Sequence, residues 1–562
     1  MKVNPFETKQ TRVVVIGLDG ATLDIIRPLV ERAKLPNLAK VIRSGVCGEL
    51  RSTIHPITPQ AWTSFLTGKK AGKHGIFDFT RRGKDSYGIE FINASMREGE
   101  SIFSLLSRAN KTVGAIAIPF TFPPEKVNGF MLSGIDAPAE DGRAVYPDAI
   151  YAEIKKKFGH YYIHLASPVG RKLNEGKFWK DIATEDENRT LISGYLMRKY
   201  PCDFFMTVYN NTDRVAHQHL DESFCKMIQN NGLIDVEDLL VRTYVNSDAQ
   251  VGALLSEVDD ATSVIIMSDH GSGPIRRVFY LNRWLEEKGF LSYKKDKPSP
   301  LLKALYWARF LAKRFLPRWA KDLLESKLGA LRDKVESALA FSDVAWSQTR
   351  AYGFGMYGNI YINLKGREPE GIVAPGKEYD DLRNQIVGKL ARLTDPDTGD
   401  KIIERVYRRE ELYEGPHVED APDLLIGWKD YSYYTSITLG MEKGPVFGPH
   451  MNIDCSEYKH VGTHRLNGIF MAMGGVIRKG AEIFGADICD VAPTILYMLG
   501  QPIPEDMDGK VLTDIFEEDF LRNNPPRYEQ PRHIDPEHQI VAYSNEESRE
   551  VARRLQGLGY LE

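Results

Sequence analysis

The sequence predicts an α/β protein with a doubly wound, mostly parallel sheet flanked by helices. Three observations lead there. Short apolar runs recur from Val13 to Leu18, Val113 to Ile118, Phe204 to Val208, Ser263 to Met267 and Gly468 to Met473, and continuous runs of this length read as strands buried on both faces. The stretches between them are long enough for crossover helices. Polar residues, mostly Asp and His, directly follow several runs, where the ligand crevice of such a sheet opens beyond the carboxyl ends of its strands.

The composition supports one large globular core. A chain of 562 residues, 42% hydrophobic and 27% charged, is neither fibrous, collagen-like nor disordered. A formal net charge of -4 gives no global attraction to polyanions, so no nucleic-acid partner is expected. The five cysteines, Cys47, Cys202, Cys225, Cys455 and Cys489, are odd in number and lack CxxC spacing. That argues against a disulfide framework and a cysteine zinc site, and favours a reducing compartment. No long apolar run precedes the first strand, and no later stretch is apolar for long enough to span a bilayer, so the expected location is the cytoplasm.

Taken in order, the first run ends on Asp19-Gly20, placing an acid at a strand's carboxyl end. In HPITPQAWTSFLTG, Thr58 precedes Pro59 and a helix expected over Gln60 to Leu66, which puts Thr58 at the N-cap with Pro at the first helical position. It reads as a plain cap or as a hydroxyl whose pKa is lowered at a helix N-terminus beside a metal. NNTDRVAHQH carries Asp213 and His217 after the third run, MSDHGSG carries Asp269 and His270 after the fourth, and GTHRLNG carries His464 before the fifth.

From Pro298 to Phe341 the composition shifts to Leu, Ala, Lys, Arg and Trp at helical spacing, interrupted by Pro317. Residues 291–430 are taken as an inserted cap, with strand character at Asn359 to Leu364. Within 299–341, Lys303, Arg309, Lys313, Arg314, Arg318 and Lys321 stand among Trp307, Phe310, Phe315 and Trp319. Such helices bury an apolar face on the sheet as a lid, or form a peripheral membrane contact. The expected division is a catalytic core of residues 1–290 and 431–520, the cap, and a polar C-terminal extension, 521–562, closing on a short amphipathic helix.

Each chemical piece is weak alone, because an Asp or His in a loop is commonly a turn or capping residue. Together, three Asp and three His suit Zn²⁺ or a similar ion, and two ions require about six such ligands.

The ordered set Asp, Thr, Asp-x-x-x-His, Asp-His, His, with TSFLTGKKAGKHGI after the threonine and CDVAPTILYMLGQPIPEDMDG near the end, resembles the alkaline phosphatase superfamily. Within it the similarity is to type I phosphodiesterases and nucleotide pyrophosphatases, over roughly residues 11–290 and 420–515. The resemblance implies two divalent ions per chain, Zn²⁺ in the first place and Mn²⁺ as the alternative. Asp213, His217 and His464 would hold one; Asp19, Thr58, Asp269 and His270 the other. Thr58 would be the nucleophile toward a small phosphate ester, through a phosphothreonine intermediate. His219 and His460 rank below His217 and His464, whose spacing and GTH context fit.

There is one departure. Phosphodiesterases of this family often carry an Asn after the nucleophile that binds a phosphate oxygen; the ungapped position here is Phe79, beside Asp78. Either Arg276 or Arg277 supplies the stabilising charge, or the substrate differs from a simple nucleotide diester. The rival readings are a phosphomutase of the same superfamily, which usually uses Ser and carries a large domain soon after it, and an inactive binding protein on this fold. A sulfatase is excluded by Thr58, which cannot be oxidised to an aldehyde.

Overall fold

The computed structural model describes residues 12–83, 86–165, 175–229, 237–294, 341, 343–436, 444–451, 460–531 and 540–558. Apart from Phe341, the basic and aromatic segment from Pro298 lies outside the described residues.

All five expected runs are strands of one nine-stranded sheet. Its order is Ala481–Asp487, Gly45–Arg51, Asn467–Met473, Ser263–Met267, Val13–Leu18, Phe204–Tyr209, Val113–Ile118, Gly129–Ser133 and Val145–Tyr146. Val13–Leu18 lies at the centre, parallel to both Phe204–Tyr209 and Ser263–Met267. The Asn467–Met473 run departs from the parallel expectation, because it pairs antiparallel with Gly45–Arg51 and with Ser263–Met267. It follows the Gly462–Arg465 strand after a single residue, and so returns into the sheet against the prevailing direction.

Helices cover both faces, as buried central strands require. Along the first strand, Val14, Ile16 and Leu18 pack into one apolar layer with the helices Pro36–Ser44, Glu175–Lys199 and Leu239–Leu255. Val13 and Val15 pack into the other, against the helices Thr58–Thr67 and Val491–Met498. The alternation is the two-residue period of a pleated strand. A third apolar core, running from Phe279 to Tyr433, surrounds a four-stranded sheet of Ala351–Gly353, Asn359–Ile362, Leu424–Trp428 and Ile403–Arg408. The strand expected at Asn359 to Leu364 is therefore present as Asn359–Ile362. The closing helix is Asn545–Leu558. Among the described residues no helix is long and apolar enough to cross a membrane.

At the centre of the sheet the packing leaves no room at Gly17, where a Cβ would stand 2.8 Å from both Trp62 Cη2 and Val208 Cγ2. Trp62 is fully buried. Gly17→Ala is expected to destabilise the fold by about 1–3 kcal/mol through overpacking, read by denaturant unfolding. An unchanged midpoint would show that the indole can retreat.

Candidate active site

The site lies at the carboxyl edge of the central strands. Asp19 continues the first strand by donating its backbone N–H to Tyr209 O at 2.9 Å. The chain then turns sharply at Gly20, whose φ is +67°, and a Cβ there would come within 2.6 Å of Asp213 Oδ1. Only glycine meets both constraints.

Asp213 and His217 stand one turn apart on the helix Asn211–His219, on one face by their four-residue spacing. Asp213 Oδ2 lies 3.3 Å from His217 Nε2, and its Oδ1 lies 3.6 Å from His464 Nε2. Asp269 and His270 follow the strand Ser263–Met267, and His270 Nε2 is 3.2 Å from Asp269 Oδ2 and 3.6 Å from Asp19 Oδ1. The strand Gly462–Arg465 pairs antiparallel with Gly271–Pro274, setting His464 opposite Ser272. The His464 ring thereby stacks on that of His270 with centroids 3.6 Å apart.

Two three-residue groups result, Asp213–His217–His464 and Asp19–Asp269–His270, each with its donor atoms within 4.8 Å of one another. Thr58 stands beside the second, its Oγ1 3.3 Å from His270 Nε2. None of these seven residues is more than 3% exposed. The helix begins at Thr58 itself, after Ile57, and has no side-chain cap. The expected N-cap is thus displaced by one residue, and the hydroxyl turns to the imidazole instead of to the helix amides.

The imidazole tautomers follow from their other contacts. Nδ1 of His217, His464 and His270 faces the carbonyl oxygens of Gly462, Pro56 and Gly271, at 3.0, 2.6 and 3.0 Å. A carbonyl only accepts, so each Nδ1 carries the proton and each Nε2 presents a lone pair. Nε2 of His217 and Nε2 of His464 are 3.1 Å apart, an arrangement that calls for a cation or a shared proton between them.

The carboxylates make the same demand. Asp19 Oδ1, both oxygens of Asp213 and Asp269 Oδ2 are buried without a hydrogen bond. Buried anionic lone pairs without partners are costly, and oxygen donors interleaved with neutral imidazole nitrogens fit divalent ions of the Zn²⁺ type.

Burial, reinforced by Asp213, pushes Asp19 up to about 7. Asp269 is raised well above the carboxylate range by burial and Asp19. Burial also works to raise Asp213, but His217 and His464 outweigh it and hold it low. Burial works against His217, yet Asp213 raises it. His270 is lowered to about 4, and His464 well below the usual imidazole range, both chiefly by burial. Without cations, protons must therefore be shared out among the acids and His217.

The remaining sequence candidates lie around this centre. Arg277 donates to Gly448 O and pairs with Asp395 and Asp397, and Arg276 faces Tyr433. His219 stacks on Phe178, while His460 stands edge-on to His217. Phe79 is a core residue, and Asp78 accepts the amides of Phe79 and Met356. Sequence reasoning missed Asn210, whose Nδ2 donates to Asp19 Oδ2 at 2.9 Å while its own oxygen faces Arg189 Nη1 at 3.4 Å. Its place between a strand end and Asp213 was the available signal. The three carbonyls that orient the imidazoles left no signal, because any residue supplies one.

A doubly wound sheet carrying two buried Asp/His groups and a threonine at its carboxyl edge is the architecture of the alkaline phosphatase superfamily. The family model described as type I phosphodiesterase / nucleotide pyrophosphatase matches residues 13–466, and the chain belongs to that family. Solved structures similar in fold include an inactive form of murine ectonucleotide pyrophosphatase / phosphodiesterase 5 in complex with AMP. It has a TM-score of 0.50 and 14% identity, over 90% of this chain and 100% of that chain. Phosphonoacetate hydrolase from Sinorhizobium meliloti 1021 in complex with phosphonoformate gives 0.51 and 13%, over 87% and 95%. No curated protein matches the sequence.

Reconstituted protein is expected to bind two divalent ions per chain, and Asp213→Ala to retain one. Since Asp19 holds its proton up to about pH 7, binding should release protons and tighten from about pH 6 to about pH 8. Metal titration with calorimetry in two buffers checks both; affinity independent of pH would contradict the proton sharing.

Proposed function

We propose that the chain hydrolyses a small-molecule phosphate ester, diester, pyrophosphate or monoester, through a phosphothreonine at Thr58. The observation that carries this reading is the buried Thr58 hydroxyl, free of capping duty and aimed at His270 Nε2 beside one of two cation-seeking groups. The family supports phosphoester chemistry, and the solved relatives with AMP and phosphonoformate support a small substrate.

Without ions, His270 Nε2 accepts the Thr58 hydroxyl hydrogen bond; with an ion held by Asp19, Asp269 and His270, that lone pair would turn to the ion and leave the hydroxyl free to attack. Oγ1 attacks phosphorus as its own proton passes to solvent, the phosphorus–oxygen bond to the leaving group breaks, and the leaving oxygen takes up a proton from solvent. Water then attacks the phosphothreonine, the bond from phosphorus to Oγ1 breaks, and Thr58 regains its proton. Asp19, Asp269 and His270 would hold one divalent ion and Asp213, His217 and His464 the other, with Zn²⁺ favoured over Mn²⁺ by the mixed donors. When bound, such ions neutralise charge on the attacking and leaving oxygens. Asn210 keeps one oxygen of Asp19 occupied, so that the other faces the site.

We assign the catalytic unit to residues 1–290 and 431–520, the cap to 291–430 and the extension to 521–562. Substrate binding by Arg276 remains part of this proposal. Arg277 is less suited, because two aspartates already engage it.

Thr58→Ala is expected to lower kcat by orders of magnitude while leaving metal content and unfolding midpoint close to wild type, with Thr58→Ser partly active. Quenched-flow trapping should find phosphate on Thr58 with a slow substrate. An Ala variant turning over its best ester at the wild-type rate would place the nucleophile elsewhere.

A further inference from the structure

Beside the two Asp/His groups, at the seam between the sheet and the third apolar core, five side chains present buried polar atoms that close no hydrogen bond. They are both ring nitrogens of His55, the hydroxyls of Tyr357, Tyr431 and Thr463, and Oδ1 of Asn359; within the cluster only loose pairings are made, His55 with Asn359 and Tyr357 with Thr463. All five residues are less than one tenth exposed. His55 stacks on Tyr357 with centroids 6.0 Å apart and meets Tyr431 edge-on at 5.9 Å. Tyr357 lies 5.3 Å from the His464 ring. Since His464 stacks on His270, which bonds Thr58, the cluster lies two imidazoles from the nucleophile. His55 stands in the loop that leads directly into the helix begun by Thr58.

Buried polar groups with bonding capacity to spare are costly, and a cluster of this kind calls for a ligand. The backbone adds an independent sign: Tyr357 and Tyr431 are held at φ 62° and 49°, a left-handed conformation unfavourable for a bulky residue. Trp428 Nε1 donates to Tyr357 O, and Arg465 Nη1 to Tyr431 O, which hold the two turns in place. Conformational strain of this kind clusters where side chains are positioned for a task.

The chemistry of the lining limits the ligand. A cavity of about 10 Å³ opens here among His55, Asn359, Tyr357 and Asp78, with no Lys or Arg in its wall. It has room for one group of hydroxyl size. His55 Nδ1 and Nε2 and Asn359 Oδ1 offer a donor and acceptors, without a fixed positive charge for a second phosphate.

We propose that this pocket is a specificity subsite for a hydroxyl group of the substrate's alcohol, next to the scissile phosphoester. The preferred substrates are then polyol or sugar phosphate esters. The proposal rests on Thr58 being the nucleophile, because the pocket is defined relative to it. A site built to bond a hydroxyl discriminates against an analogue lacking it, since its buried partners stay unpaired.

Two matched pairs test this on the full-length, metal-reconstituted protein: glyceryl and n-propyl p-nitrophenyl phosphate, and glycerol 1-phosphate and n-propyl phosphate. In at least one pair the hydroxylated member should have a kcat/KM higher by roughly tenfold or more. Tyr357→Phe and Asn359→Leu, each confirmed folded by thermal unfolding, should bring that ratio toward one. Equal kcat/KM within both pairs, or variants that keep the wild-type ratio, would overturn the proposal and leave the cavity to a structural water. Hydrolysis of none of the four esters would overturn the phosphohydrolase reading itself, and the subsite with it.

Discussion

Three carboxylates are held together in a site that is closed to solvent and contains no Lys or Arg partner for Asp19, Asp213 or Asp269 among the contacts described. Like charges at this separation repel strongly in a medium of low dielectric, and protonation of Asp19 and Asp269 is the response of the metal-free chain. The surrounding structure resists the obvious relief, which is to move the acids apart. Asp19 is fixed by the end of the central strand, Asp213 by the first turn of a helix packed under it, and Asp269 by the adjacent parallel strand. The topology thus stores an affinity for cations in its backbone, and the sheet and the chemistry are not separable problems.

Much of this was legible in the sequence, for a physical reason. Fully buried strands must be continuous apolar runs, and Val13–Leu18, Val113–Ile118 and Ser263–Met267 appear where those runs stand. Asp19, Asp213, Asp269 and His270 were conspicuous because a polar residue at the end of such a run needs a reason to be there. The strands Gly45–Arg51 and Ala481–Asp487 were missed. Their outer positions in the sheet leave exposed residues such as Glu49 and Glu482, which break the apolar signal. The direction of Asn467–Met473 was misread too, since nothing in a buried run distinguishes parallel from antiparallel pairing.

The helix at Thr58 shows a finer limit. A Thr-Pro pair before an apolar run satisfies the statistics of an N-cap followed by Pro at the first helical position. The sequence cannot say which of two adjacent residues is the last extended one, and here it is Ile57. That single step separates a hydroxyl satisfied by its own helix amides from one turned to His270. The polar seam at His55, Tyr357 and Asn359 was likewise out of reach, because its members are distant in sequence and meet only in the folded chain.

The way the imidazoles are oriented has a consequence for reactivity. A histidine that donates Nδ1–H to a carboxylate gains electron density at Nε2 and adds a negative charge near any bound ion. Here all three use carbonyl oxygens, those of Pro56, Gly271 and Gly462, which fix the ring and the tautomer without adding charge. The charge of the centre is then set by its three aspartates, so the two divalent ions proposed above would bring four positive charges against three negative ones. Such an excess of one positive charge would favour an anionic phosphoester, and more strongly a transition state in which negative charge concentrates on the attacking and leaving oxygens. A carboxylate in place of even one of these carbonyls would cancel that excess. On that reading the absence of a phosphate-binding Asn at Phe79 would be offset, because the attraction for phosphate would come from the way the proposed ligands are held.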